Sequence, residues 1–169
     1  KFMTSLLVGC GLPGGMMGSL MADLKGAHIG INATLKNNGK NELSTDELLV
    51  MLFDEVKYIW PKLGNPPLVT PFSQYVKNIA LMNVMFMLKG EPRWSMIDKN
   101  SWDMILGKAG KLPGTLAPEI VELAKKNNYE FFEGNPQDNY PNELDHFIAI
   151  MKENLKDYLQ VLANENYIS

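Results

Sequence analysis

The chain has 169 residues, with 16 Lys and Arg against 19 Asp and Glu and a formal charge of −3. That length suffices for one domain with a real core, and that charge does not favour non-specific binding to phosphate backbones, so nucleic acid is not an expected partner. The single cysteine, Cys10, excludes an intramolecular disulfide framework and fits a reducing, cytoplasmic setting, and no run approaches the ~20 apolar residues of a membrane span.

Taken in chain order, the apolar residues recur at helical spacing and strand patterns are nearly absent. Lys1 stands first and no signal-peptide pattern follows, so the N-terminus reads as the interior of a longer chain. Phe2 to Val8 is a short apolar segment that ends at GCGLPGG. Met16 to Leu24 predicts a short helix with Met17, Leu20, Met21 and Leu24 on one face. After the polar stretch KNNGKNELST, Ser44 and Glu47 fit a capping box at the start of a second helix. That helix buries Leu48, Leu52, Val56 and Ile59 or Trp60, and Pro61 ends it.

LGNPPLVTP reads as a rigid extended connector, because residues before prolines avoid the α region. Phe72 to Leu88 is the most apolar helix, broad enough in its hydrophobicity to predict near-complete burial, with Gly90 as its stop. A shorter helix surrounds Trp102 to Leu106. Pro118 opens another through Ala124. Pro141 is expected to open a long amphipathic helix that turns Leu144, Phe147, Ile148, Met151, Leu155, Tyr158 and Leu162 inward. About six helices without a sheet make the fold all-α.

The chemistry-bearing motifs are few. His28 and His146 are the two histidines, and neither His-x-His, CxxC nor HExxH occurs, so no metal site is recognisable. GCGLPG spells the bare GxGxxG pattern, but no glycine-rich phosphate loop follows a strand, and no GxSxG elbow exists. Cys10 reads as a buried, inert thiol. Pro13, Gly14 and Gly15 read as turn geometry. Lys77 reads as a solvated or partner-facing charge. Met82, Met85 and Met87, like Tyr58, Trp60, Trp94 and Trp102, read as packing residues. On its own residues the chain therefore holds at most part of an active site.

Two segments carry a family resemblance. LPGGMMGSL, Leu12 to Leu20, and LGNPPLVTPFSQYVKNIALMNVM, Leu63 to Met85, in this order and spacing, resemble the post-barrel region of the biotin-dependent carboxyltransferases. That family includes the oxaloacetate decarboxylase α subunit, pyruvate carboxylase (one of its two subunits where the enzyme is split) and the transcarboxylase 5S subunit. GKAGKLPGTLAPEIVEL, Gly107 to Leu123, continues the likeness, and NPQDNYPNELDHF resembles the stretch before the family's last helix. The chain departs from the pattern at Gly18 and Ser19, where the family has Ser or Thr followed by Asn; no role carries over to Ser19.

The resemblance implies a helical funnel domain spanning residues 1–169, the C-terminal part of a larger chain whose (β/α)8 barrel lies outside this sequence. It implies that the divalent metal belongs to that barrel, that biotin rides on another domain or subunit, and that the isolated fragment is inactive. It further implies pyruvate or oxaloacetate as substrate, a biotin carrier as partner and a homo-oligomer at full length. It puts a proton-relaying hydroxyl on Thr70 and a biotin contact on Ser73. From the residues alone, Thr70 reads as a helix N-cap with Pro71 at N1, and Ser73 as an N3 hydroxyl serving the first turn. A non-catalytic helical module that docks a biotin carrier or partner subunit is the competing reading.

Overall fold

The computed structural model describes residues 12–139 and 143–164; Phe2 to Val8, Cys10 and Pro141 lie outside them. Among the described residues are six α-helices and no strand, as an all-α chain requires: α1 (Gly14–Asn37), α2 (Thr45–Lys62), α3 (Phe72–Lys89), α4 (Lys99–Ile105), α5 (Pro118–Lys126) and α6 (Glu143–Asn164), with a 3-10 turn at Pro136–Asn139. The chain divides into two compact units, Lys1–Glu133 and Gly134–Ser169.

Helix α1 runs thirteen residues past Leu24, the end expected from its apolar face. Gly26 and Gly30 lie inside it, although each costs a helix about 1 kcal/mol relative to Ala. Tertiary contacts override that cost. Ile31 and Leu35 are buried in a cluster with Leu20, Leu24, Leu48, Leu49, Leu52 and Val84. The polar side of the same stretch clasps the following loop: Asn32 exchanges two 2.9 Å bonds with the backbone of Leu43, and His28 Nε2 donates to the Leu43 carbonyl at 2.7 Å.

Helix α2 starts as its sequence predicts. The Ser44 hydroxyl accepts from the Glu47 N–H, and Glu47 accepts from the Ser44 N–H at 2.8 Å. Those bonds from Ser44 hold the Glu47 carboxyl below the usual glutamate range. Its end differs from expectation. Pro61 lies inside the last turn, and the stop is Gly64, at φ +77°. The Gly64 N–H bonds the Pro61 carbonyl and the Asn65 N–H reaches the Trp60 carbonyl, the two bonds of a Schellman motif. A proline this late removes a single donor from the ladder, so the helix survives it.

Helix α3 lies against α1, α2 and α4. From Phe72 to Leu88 every residue is buried or half-buried, and Gly90 closes the helix at φ +90°. Its first half belongs to a second core cluster with Met16, Val56, Ile59, Leu63, Trp102, Ile105 and Ile120. Beyond α3 the chain is stapled back by a buried carboxylate. Glu55 of α2 is 2% exposed; it accepts from Asn83 at 2.8 Å and from Arg93 at 3.0 Å on both oxygens. Asn83 in turn accepts from the Trp94 N–H at 2.9 Å, and the Arg93 guanidinium sits 4.4 Å over the Tyr58 ring. Tyr58 and Trp60 are thus partly exposed rather than core, while Trp102 is buried.

Helix α6 differs from expectation more sharply. Leu144, Phe147, Ile148, Met151, Leu155 and Tyr158 are exposed rather than inward. The described part of its unit consists of this helix and one 3-10 turn.

The Glu55 staple makes a stability prediction. Arg93→Met should leave the buried carboxylate bonded to Asn83 without a cation, and cost roughly 3 kcal/mol, the scale for breaking one side of a buried pair. Urea unfolding of the purified variant checks this, and a loss under about 1 kcal/mol would contradict it.

Candidate functional site

The three segments singled out in the sequence converge on one region. Leu12 and Met16 of the first, Leu68, Phe72 and Val76 of the second, and Leu112, Leu116 and Ile120 of the third share one apolar cluster. Backbone bonds reinforce the meeting of the second and third. The Gly114 N–H bonds the Gly64 carbonyl at 2.8 Å and the Ala117 N–H bonds the Lys62 carbonyl at 2.9 Å, around an antiparallel bridge of Leu63 with Leu116. The approach is so close that a Cβ on Gly64 would stand 2.9 Å from the Gly114 carbonyl oxygen. Lys62 pairs with Glu119 at 3.0 Å across the same seam, which raises the Lys62 pKa.

Thr70 sits just before α3 and is exposed. It does not cap the helix. The N-cap position falls on Pro71, after a cis Thr70–Pro71 peptide, and no side chain caps the first turn. Ser73 accordingly falls at N2, not N3, and is 3% exposed. The first-turn donors are already engaged: the Ser73 N–H bonds the Val69 carbonyl at 2.9 Å and the Gln74 N–H the Pro71 carbonyl at 3.0 Å. These two amides are turned onto the chain itself and do not offer an anion site. The Thr70 hydroxyl has no hydrogen-bond partner among the described residues, so both its donor and its acceptor capacities are open.

The structure overturns the reading of Lys77. It is 5% exposed, with its ammonium bound to the Asp23 carboxylate and, at 2.7 Å, to the Ser19 hydroxyl. Ser19 passes its own hydrogen to Gln74 Oε1 at 3.0 Å. The chain Asp23–Lys77–Ser19–Gln74 thereby bolts α1 to the first half of α3, across sequence separations of 54 to 58 residues. The sequence does carry a signal for it. Ser19 and Asp23 are four apart, Gln74 and Lys77 three apart, so each pair shares a face of its helix.

Among the described residues no group of three or more His, Cys, Asp or Glu is gathered for a metal ion, and no helix is long and apolar enough to cross a membrane. What these residues offer is an open hydroxyl at a rigid helix start, braced by a buried polar network and by the junction of three loop-and-helix segments.

That arrangement marks a helical module that presents one helix end, and comparison with known proteins defines its class. Residues 41–169 match the conserved carboxylase domain, and the chain belongs to that family, the biotin-dependent carboxyltransferases. It is similar to the 2-oxoglutarate carboxylase large subunit of Hydrogenobacter thermophilus, 37% identical over 111 residues, which are 66% of this chain and 14% of that protein. It is also similar to a pyruvate carboxylase subunit of Methanothermobacter thermautotrophicus, 35% identical over 110 residues, 65% of this chain and 16% of that one. The corresponding subunit of Methanocaldococcus jannaschii is 27% identical over 132 residues, 78% of this chain and 20% of that one. The match therefore spans a fifth or less of the length of these relatives.

The ion pair is asymmetric, and its two halves should fail differently. Lys77 is 6% exposed at its side chain and Asp23 43%. Removing Lys77 returns Asp23 to water, whereas removing Asp23 strands a buried ammonium. Asp23→Ala should cost about 3 kcal/mol and Lys77→Met about 1 kcal/mol in urea unfolding; the opposite order would refute this account of the pair.

Proposed function

We propose that this chain is the helical, post-barrel part of a larger biotin-dependent carboxyltransferase that moves CO2 between carboxybiotin and pyruvate or oxaloacetate. Residues 1–169 serve as one helical module of that enzyme, inactive without its barrel and located in the cytoplasm. The catalytic metal is held by the barrel and biotin by a carrier domain or subunit, and the complete enzyme is a homo-oligomer. The family membership supports the reaction class, and the two pyruvate carboxylase relatives support the substrate.

Thr70 is the residue that does chemistry from this chain. Bound biotin supplies the carboxyl group, and its departure leaves a ureido nitrogen in need of a proton. Transfer to pyruvate requires the methyl group to lose one. The Thr70 hydroxyl gives its hydrogen to the first and takes one from the second, so the proton count closes without a strong base on the protein. The carrying observation is that this hydroxyl is exposed and unengaged, on a connector whose flanking Leu68 and Phe72 pack on the apolar cluster that the three family segments share. Its β-branch restricts χ1, and Ser73, two residues after the N-cap, ties the loop to the helix through its N–H to Val69. Ser73 is 3% exposed as a residue, so its hydroxyl would meet the biotin ureido group where biotin enters the junction itself.

In the full-length enzyme Thr70→Ser should keep substantial carboxyl transfer, while Thr70→Ala and Thr70→Val should lose roughly 100-fold or more in turnover. A module that only docks a carrier predicts near wild-type turnover per folded Thr70→Ala molecule, and that result would sink the relay. Ser73→Ala should weaken the use of biotin more than the binding of pyruvate. Normal kinetics with both free and carrier-bound biotin would remove Ser73 from the site.

A further inference from the structure

We infer that Ser19, Gln74, Lys77 and Asp23 form a positioning clamp that sets the rotation of the first turn of α3 against α1, and with it the aim of the Thr70 hydroxyl. The inference rests on the carboxyl-transfer reading and adds positioning residues to it.

Hydrogen direction carries the argument. An ammonium only donates, so the Ser19 oxygen is the acceptor for Lys77, at 2.7 Å, and its own hydrogen is left for Gln74 Oε1, at 3.0 Å. The carbonyl end of the Gln74 amide is thereby committed to α1, and the orientation of that amide is settled by Lys77 two hydrogen bonds away. Gln74 directly follows Ser73 and lies four residues after Thr70. Without Ser19 the same turn is held to α1 by Met16, Phe72 and Val76, whose apolar contacts are not directional. Asp23 keeps the buried ammonium in place and is itself partly solvated, so it anchors the chain of bonds at its outer end.

The clamp also gives a use to the position where this sequence departs from its family's pattern. Ser19 stands where the family has Asn, and here that side chain is the node that receives from Lys77 and donates to Gln74. Gly18 beside it is exposed, and a Cβ there would meet nothing within 4 Å, so the departure at 18 imposes no packing requirement of its own.

A misplacement of about 1 Å in a reacting group costs on the order of 100-fold in rate, so loosening one hydrogen bond of the clamp should be visible in turnover. The test uses the complete enzyme with its biotin carrier. Ser19→Ala, which leaves the Lys77–Asp23 pair intact, should lower kcat about tenfold with KM for the oxo-acid substrate unchanged. Ser19→Thr, which keeps the hydroxyl, should stay within about twofold of wild type. Ile31→Val, in the apolar cluster at the far end of α1, serves as the stability control: it should lower Tm at least as much as Ser19→Ala and leave kcat alone. An active enzyme whose kcat is indifferent to Ser19→Ala overturns the clamp and leaves the carboxyl-transfer reading standing. A fall in kcat that simply tracks Tm in both variants also overturns it. A wild-type enzyme that transfers no carboxyl group to or from either oxo acid removes the parent reading and the clamp together.

Discussion

Helix α3 has neighbours on three sides, and the rest of the larger unit is arranged by that fact. A helix flanked by α1, α2 and α4 can present little more than its ends to anything outside. Its C-terminal end is closed by the left-handed Gly90 and the return of the chain through Arg93 to Glu55. The N-terminal end, with the proline-rich connector that leads into it, is what remains accessible. The burial that holds α3 in place therefore leaves Thr70, just before its first turn, among the exposed residues.

Much of the fold is legible because it follows from local rules. The capping box at Ser44 and Glu47, the proline opening α5 and the glycine closing α3 each act over four or five residues. The departures arise where distant contacts decide. The apolar face of α1 is legible only as far as Leu24, whereas the rest of the helix makes contacts such as that of Asn32 with Leu43, eleven residues on. The spacing of Leu144, Ile148, Met151, Leu155 and Tyr158 correctly marks a helix, but spacing cannot say whether a partner exists, and here these side chains are exposed. A pattern of apolar residues specifies a face, and burial of that face depends on what else the chain supplies.

The site divides in the same way. Thr70 and Ser73 are singled out only by the motif that surrounds them, since no composition or spacing argument distinguishes that threonine from an N-cap. The geometry removes the N-cap alternative: Pro71 occupies the position, and the amides behind it are spent on Val69 and Pro71. Lys77 is deceptive because a lysine on a helix is ordinarily a solvated charge. Its surroundings carry the contrary signal, a cation in the middle of the most apolar helix of the chain, but its partner Asp23 lies 54 residues earlier, beyond the reach of any local pattern.

Trp60 gives the connector an optical handle. Its indole N–H bonds the Pro66 carbonyl at 2.8 Å, and the ring is 37% exposed, while Trp102 is 6% exposed in the core. Trp60, more exposed than half-buried Trp94 or buried Trp102, thus puts a solvent-sensitive fluorophore at the base of the segment that ends in Thr70. A movement of Pro66 that breaks or bends that bond changes the surroundings of the indole, and the emission maximum of a Trp60-only protein reads it without an added label.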